Sequence, residues 1–164
     1  MKLDSVLPKS RFEAKVWSMS ETIKPVLLFV EDDYDLNYTF RDEFKKIAPQ
    51  WGITSCREGW AAMQELTRGL EPQVLVVDVD MVGVGCRDLI EWVKEQSYFS
   101  SIPIVVLSNS DDFSHRQHCA ALGVSSYLDK PGSLADLREL IHHVVKLCEE
   151  SRFYAQDRNE ISFA

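Results

Sequence analysis

The chain has 164 residues, 45% of them hydrophobic and 27% charged, with a formal net charge of −8. That length suits one domain with a proper apolar core, and the acidity works against non-specific attraction to nucleic acid or anionic lipid. No apolar run approaches the length needed to span a bilayer, and the charged first 25 residues lack the apolar stretch of a signal peptide, so a cytoplasmic location is expected. The four cysteines, Cys56, Cys86, Cys119 and Cys148, form no CxxC pair and are read as reduced and partly buried.

In chain order, five short segments read as buried strands: Val26–Val30, Ile53–Cys56, Val74–Val77, Ile104–Leu107 and Val124–Leu128. Three are continuous apolar runs without alternation, the pattern of parallel strands covered on both faces. Helical spacing fills the gaps. Leu36, Phe40, Phe44 and Ile47 share one face, as do Trp60, Met63, Leu66 and Leu70; Leu89, Ile90 and Val93 mark a third helix. After Ser110 the apolar stripe is thin, with His115 and His118 read as surface histidines. Leu134, Leu137, Ile141, Val144 and Cys148 mark the last helix, which opens with Ser133 and Asp136 at capping-box spacing; His142 and His143 on it are read as solvent-facing or packing residues. Five β-α repeats predict an α/β fold, a doubly wound parallel sheet with helices on both faces. Residues 1–24 and 149–164 fall outside this pattern as an N-terminal extension and a C-terminal tail around a domain at 25–148. Their apolar groups, among them Phe12, Val16, Trp17 and Phe163, allow flexible ends or docking arms.

The unusual polar residues cluster just past strand ends: Glu31, Asp32 and Asp33 after the first, Asp78 and Asp80 at the third, Ser108 after the fourth, Lys130 and Pro131 after the fifth. Ligands of open parallel sheets bind at this edge. With the first strand beside the third, Glu31, Asp32 and Asp78 converge, and one lysine cannot balance three carboxylates. A hard divalent cation suits such an oxygen cluster, and magnesium suits it better than calcium. Asp78 is then the candidate nucleophile for an aspartyl-phosphate, with Lys130 pairing a phosphoryl oxygen and Ser108 donating a hydrogen bond to another. Asp33 and Asp35 are each read as a helix cap or a solvated turn residue.

These residues resemble the response-regulator receiver domain of two-component signalling, over about residues 25–148: V-E-D-D at 30–33, V-V-D at 76–78, L-S at 107–108 and Y-L-D-K-P at 127–131. The resemblance implies a flavodoxin-like five-stranded parallel sheet of order 2-1-3-4-5. Glu31 and Asp32 would hold Mg2+ together with Asp78, which would be phosphorylated; Asp80 falls where a backbone carbonyl joins the metal. Ser108 and Tyr127 correspond to the switch pair, and Lys130 to the family lysine, with a cis bond expected between Lys130 and Pro131. The implied partners are a sensor histidine kinase or a histidine phosphotransfer protein, with output by protein contact, no nucleic acid, no membrane and a homodimer left open. The chain is thus expected to be a single-domain phosphoacceptor rather than an enzyme. The loop Gly83, Val84, Gly85, Cys86 departs from the family pattern, as does Asn109. Two rival readings are a pseudo-receiver interaction module and a phosphatase of the haloacid dehalogenase type, whose nucleophile loop D-V-D-M-V at 78–82 resembles.

Overall fold

The computed structural model describes residues 24–81, 83–109 and 113–161. Five strands and five helices alternate: β1 (Val26–Val30), α1 (Tyr34–Ile47), β2 (Gly52–Cys56), α2 (Gly59–Thr67), β3 (Val74–Asp78), α3 (Cys86–Glu95), β4 (Ile104–Ser108), α4 (Phe113–Ala121), β5 (Ser126–Asp129) and α5 (Leu134–Ile161). The sheet is parallel throughout, in the order β2-β1-β3-β4-β5. This is the doubly wound parallel fold that the β-α alternation predicts, in the flavodoxin-like strand order that the family resemblance implies.

Because side chains alternate along a strand, each apolar run feeds two cores. Leu27 and Phe29 of β1 join Val74 and Val76 of β3 on one face, under Phe40 and Phe44 of α1 and Leu137, Ile141 and Val144 of α5. Leu28, Val30, Leu75 and Val77 face the other way, under Ala62 and Leu66 of α2, Leu89, Ile90 and Val93 of α3 and Cys119 of α4. Phe29 stacks on Phe40 with ring centroids 4.0 Å apart, and Phe40 stacks in turn on Phe44 at 5.9 Å. Glu43 of α1 accepts from Lys46 at 2.7 Å and from Arg138 of α5 at 2.7 Å, which clips the two helices together. Those two hydrogen bonds hold its carboxyl below the usual range.

Helix starts follow the residues expected to cap them. Asp33 Oδ1 accepts from the Leu36 N–H at 2.8 Å, and Ser133 Oγ accepts from the Asp136 N–H at 3.1 Å. Three placements differ from the periodicity. Trp60 is 55% exposed and Leu134 46%, and each stands in the first turn of its helix. Val124 lies before β5, not in it. Gly123 adopts φ 73° and the Val124 N–H bonds the Cys119 carbonyl, so Val124 closes the C-terminus of α4 and the ladder begins at Ser126. The helix α5 runs on past residue 148 to Ile161. Phe12, Val16, Trp17 and Phe163, the proposed docking groups of the two ends, lie outside the described residues.

Where α2 begins, an added Cβ at Gly59 would stand 2.5 Å from the Val84 carbonyl oxygen and 2.9 Å from its Cγ1, while the Gly59 N–H bonds that same carbonyl at 3.2 Å. Gly59→Ala is therefore expected to destabilise the protein by about 1–3 kcal/mol, despite the better helix propensity of alanine, because backbone of the β3–α3 loop must move. A lower urea midpoint with an unchanged slope would show it; an unchanged midpoint would mean that the loop yields freely.

Candidate phosphoacceptor and metal site

Register builds the site. Val30 pairs with Val77, so the next residues, Glu31 and Asp78, emerge side by side at the carboxyl edge of β1 and β3. Asp78 pairs with Leu107, which sets Ser108 one step beyond it on β4. Ser108 pairs with Asp129, and its carbonyl accepts the Lys130 N–H at 2.9 Å, which carries Lys130 into the same crevice.

One carboxylate oxygen from each of Glu31, Asp32 and Asp78 lies within 4.8 Å of the others. Glu31, Asp78 and Ser108 are fully buried and Asp32 is half-buried. The Lys130 ammonium lies 2.8 Å from Asp78 Oδ2 and 3.2 Å from Glu31 Oε1. Backbone N–H groups supply the next contacts: Asp33 donates to Glu31 Oε1 and Asp80 to Asp78 Oδ1, each at 3.1 Å. Glu31 Oε2 and Asp78 Oδ2 are buried without a directed hydrogen bond among the described residues. For Asp78 Oδ2 the ammonium at 2.8 Å is a charge contact off the hydrogen-bond direction; Glu31 Oε2 has neither.

Charge accounting gives the consequence. Burial, and then the negative charge of Asp78, push the Glu31 carboxyl up to about 7, against the smaller opposing effects of the Asp33 N–H and Lys130. Burial alone would lower the Lys130 ammonium, but its close contact with Asp78 and the charges of Glu31 and Asp78 outweigh it and hold it above its ordinary value. Three carboxylates against one ammonium leave an excess of negative charge and an orphaned oxygen. A hard cation with oxygen ligands fits that donor set. Asp80 differs from the three: its side chain is exposed and its carboxylate is outside the cluster, so only its backbone faces the site.

Ser108 and Tyr127, expected from the resemblance to form a switch pair, are also brought together. The Ser108 hydroxyl hydrogen-bonds the Tyr127 phenol. The Tyr127 oxygen lies 3.4 Å from His115 Nδ1, and the Arg116 guanidinium carbon sits 4.7 Å from the centre of the Tyr127 ring. His115 and His118, read from sequence as surface residues, are half-buried and engaged: His115 Nδ1 also lies 3.6 Å from Cys119 Sγ, and His118 Nε2 is 3.0 Å from Glu91 Oε1 of α3. Cys119 is the one buried residue of α4, and the polar contacts tie that helix to Tyr127 of β5 and to Glu91 of α3. His142 and His143 are exposed, as read. All four cysteines are free and buried.

The expected cis bond is corrected: the structure has no cis peptide among the described residues, so Lys130–Pro131 is trans. Trans is the lower-energy isomer by about 0.5–1 kcal/mol. The Lys130 N–H bond to Ser108 already delivers the ammonium without the turn. The sequence reading also missed Asn37. It is buried, donates from Nδ2 to the Glu31 carbonyl at 3.0 Å and accepts from Ser55 Oγ at 2.6 Å. A signal was available, since Asn37 precedes Phe40 by three and Phe44 by seven and so lies on the core stripe of α1.

Residues 27–142 match the response regulator receiver domain family. Among curated proteins, the chain is 29% identical over 98 residues to the two-component response regulator ARR7 of Arabidopsis thaliana, covering 54% of this chain and 48% of that protein. It is 24% identical over 147 residues to hybrid signal transduction histidine kinase D of Dictyostelium discoideum, covering 88% of this chain and 9% of that protein. The chain thus spans half or less of the length of these relatives. Among solved structures, the phosphorylated cyanobacterial phytochrome response regulator RcpA aligns with TM-score 0.71 at 20% identity, over 77% of this chain and 95% of that one.

Proposed function

The chain belongs to the response regulator receiver family of two-component signalling, and on that premise we propose that it accepts a phosphoryl group on Asp78 with magnesium bound beside it. The observation that carries this reading is the meeting of Glu31, Asp32 and Asp78 within 4.8 Å, with the Lys130 ammonium 2.8 Å from Asp78. Glu31, Asp32, Asp78 and the backbone carbonyl of Asp80 would hold the ion. When bound, magnesium offsets the repulsion between these carboxylates and the incoming phosphoryl oxygens.

A carboxylate oxygen of Asp78 attacks phosphorus on a phosphohistidine of the donor protein. The new O–P bond forms as the P–N bond breaks, and the imidazole leaves with the electron pair. Lys130 pairs with a phosphoryl oxygen, and the Ser108 hydroxyl turns from Tyr127 to donate to another. Tyr127 and α4 then settle against the changed site, and the α4–β5–α5 face carries the output by protein contact. The phosphorylated state named for RcpA supports the same chemistry here.

In this reading the chain is a phosphoacceptor rather than an enzyme acting on a separate substrate. Residues 25–148 form the receiver unit, flanked by 1–24 and 149–164. Donors are a sensor histidine kinase or a histidine phosphotransfer protein, and the setting is the cytoplasm. Among the described residues no helix is long and apolar enough to cross a membrane.

Incubation with magnesium and acetyl phosphate tests the proposal. The intact mass is expected to rise by one phosphoryl group in the unaltered protein and not in Asp78→Asn. An unchanged mass would favour an interaction module without phosphorylation, and turnover of phosphate monoesters would favour a phosphatase.

A further inference from the structure

We propose that Asn37, held by Ser55, is a positioning residue that sets the Glu31 carboxylate for the divalent cation. This inference rests on the metal-assisted reading above and deepens it.

The accounting of Glu31 is nearly closed. Its N–H donates to the Cys56 carbonyl at 3.0 Å. Its carbonyl accepts from Asn37 Nδ2 at 3.0 Å. Its Oε1 accepts from the Asp33 N–H and from Lys130. Oε2 alone has no partner among the described residues, and a Glu31 carboxylate oxygen is one of the three that converge with Asp32 and Asp78. The backbone of Glu31 is therefore gripped from both sides, by β2 through its N–H and by α1 through its carbonyl. These grips decide where the unpaired oxygen stands.

Asn37 is suited to this duty and costly for any other. Its side chain is buried on the core stripe of α1, where an apolar residue would pack without a polar partner. Asparagine is also a weaker helix former than leucine or alanine. Its amide joins three elements: α1 through its own backbone, β1 through the Glu31 carbonyl, and β2 through the Ser55 hydroxyl, which donates to Oδ1 at 2.6 Å. That donation fixes which way the amide faces, so Nδ2 points at Glu31. Ser55 stands beside Phe29 in the β1–β2 register, two residues before Glu31 along the neighbouring strand. Groups that orient metal ligands from behind commonly change metal affinity about 10–100-fold when removed.

The test is Mn2+ binding by calorimetry to the full chain, well below its melting temperature. Asn37→Leu keeps the branched outline, with bulkier ends, and removes both hydrogen bonds; it is expected to weaken Mn2+ binding about 10–100-fold. Ser55→Ala should weaken it less, and the double variant no more than Asn37→Leu alone, because the hydroxyl acts through the amide. Phe44→Leu, a core change remote from the site, serves as the control: it should lower the melting temperature and leave Mn2+ affinity unchanged. Should Asn37→Leu fail to fold, Ser55→Ala against Phe44→Leu decides. Unaltered protein that binds Mn2+ while the Asn37 and Ser55 variants bind it equally well overturns the positioning role and leaves the proposed function standing. Unaltered protein that binds no Mn2+ overturns both.

Discussion

Replacing Lys130 with alanine is expected to destabilise the metal-free protein by about 3–5 kcal/mol, the cost of leaving a buried charge without its partner. The lysine side chain is only 12% exposed and faces two carboxylates that are fully buried. No other cationic side chain pairs with Glu31 or Asp78 in the ion pairs of the described residues, so nothing replaces it. The surface pairs elsewhere, such as Arg68 with Glu65, are solvated and contribute at most about 1 kcal/mol each. Urea denaturation in the presence of a chelator measures the effect. Magnesium should recover part of the loss, because a ligand that binds only the folded state stabilises it in proportion to the logarithm of its concentration over Kd. A loss below 1 kcal/mol would show that the carboxylates already share protons or water, and the charge accounting above would be wrong.

The Asp78→Asn variant is expected to move in the opposite direction, gaining about 1–3 kcal/mol without metal from relief of like-charge repulsion while losing phosphoryl uptake altogether. The aspartate stands between Glu31 and Lys130, and its charge is the second cause, after burial, of the raised Glu31 carboxyl. An amide there removes one negative charge from a cluster with too many and keeps an oxygen for the Asp80 N–H, while its NH2 takes the place of the oxygen that faced Lys130. The same change removes the only nucleophile the proposal allows. A variant that is stabilised and inert would separate the two roles of Asp78, as a strained charge and as an acceptor. One that is destabilised would mean that the ion pair with Lys130 outweighs the repulsion, and one that still gains mass would place the acceptor elsewhere. Together the two variants form a signed pair: one cation removed, one anion removed, with opposite shifts from the same electrostatics.

Much of this site was legible from residue order because the signals it uses are local. Continuous apolar runs such as V-L-L-F-V and V-L-V-V mark strands covered on both faces, and a parallel sheet follows from the helices between them. Acidic, hydroxyl and lysine residues directly after four such runs meet at one edge in any doubly wound sheet. Asp33 and Ser133 announced their helix starts, and both bonds are present. Where the reading failed, the missing information was about neighbours. Helical spacing places Trp60 on the stripe of Met63 and Leu66, but the fold leaves it 55% exposed, which spacing along one helix does not encode. The cage around Tyr127 required knowing that α4 lies over β5, bringing His115 and Arg116 to a residue more than ten positions away.

What the order of residues determined by itself is the alternation of strands and helices, the two-sided burial of the sheet and the placing of Glu31, Asp32, Asp78, Ser108 and Lys130 at strand ends. Periodicity and strand-end position are properties of the chain alone. Tertiary structure decided the rest. Register set Glu31 opposite Asp78, the bond from Lys130 to Ser108 delivered the ammonium without a cis peptide, and the packing of α1 on β1 and β2 turned a buried asparagine toward the Glu31 carbonyl. Hydrogen bonds between elements distant in sequence have no local signature, since each depends on how two layers come to rest against each other.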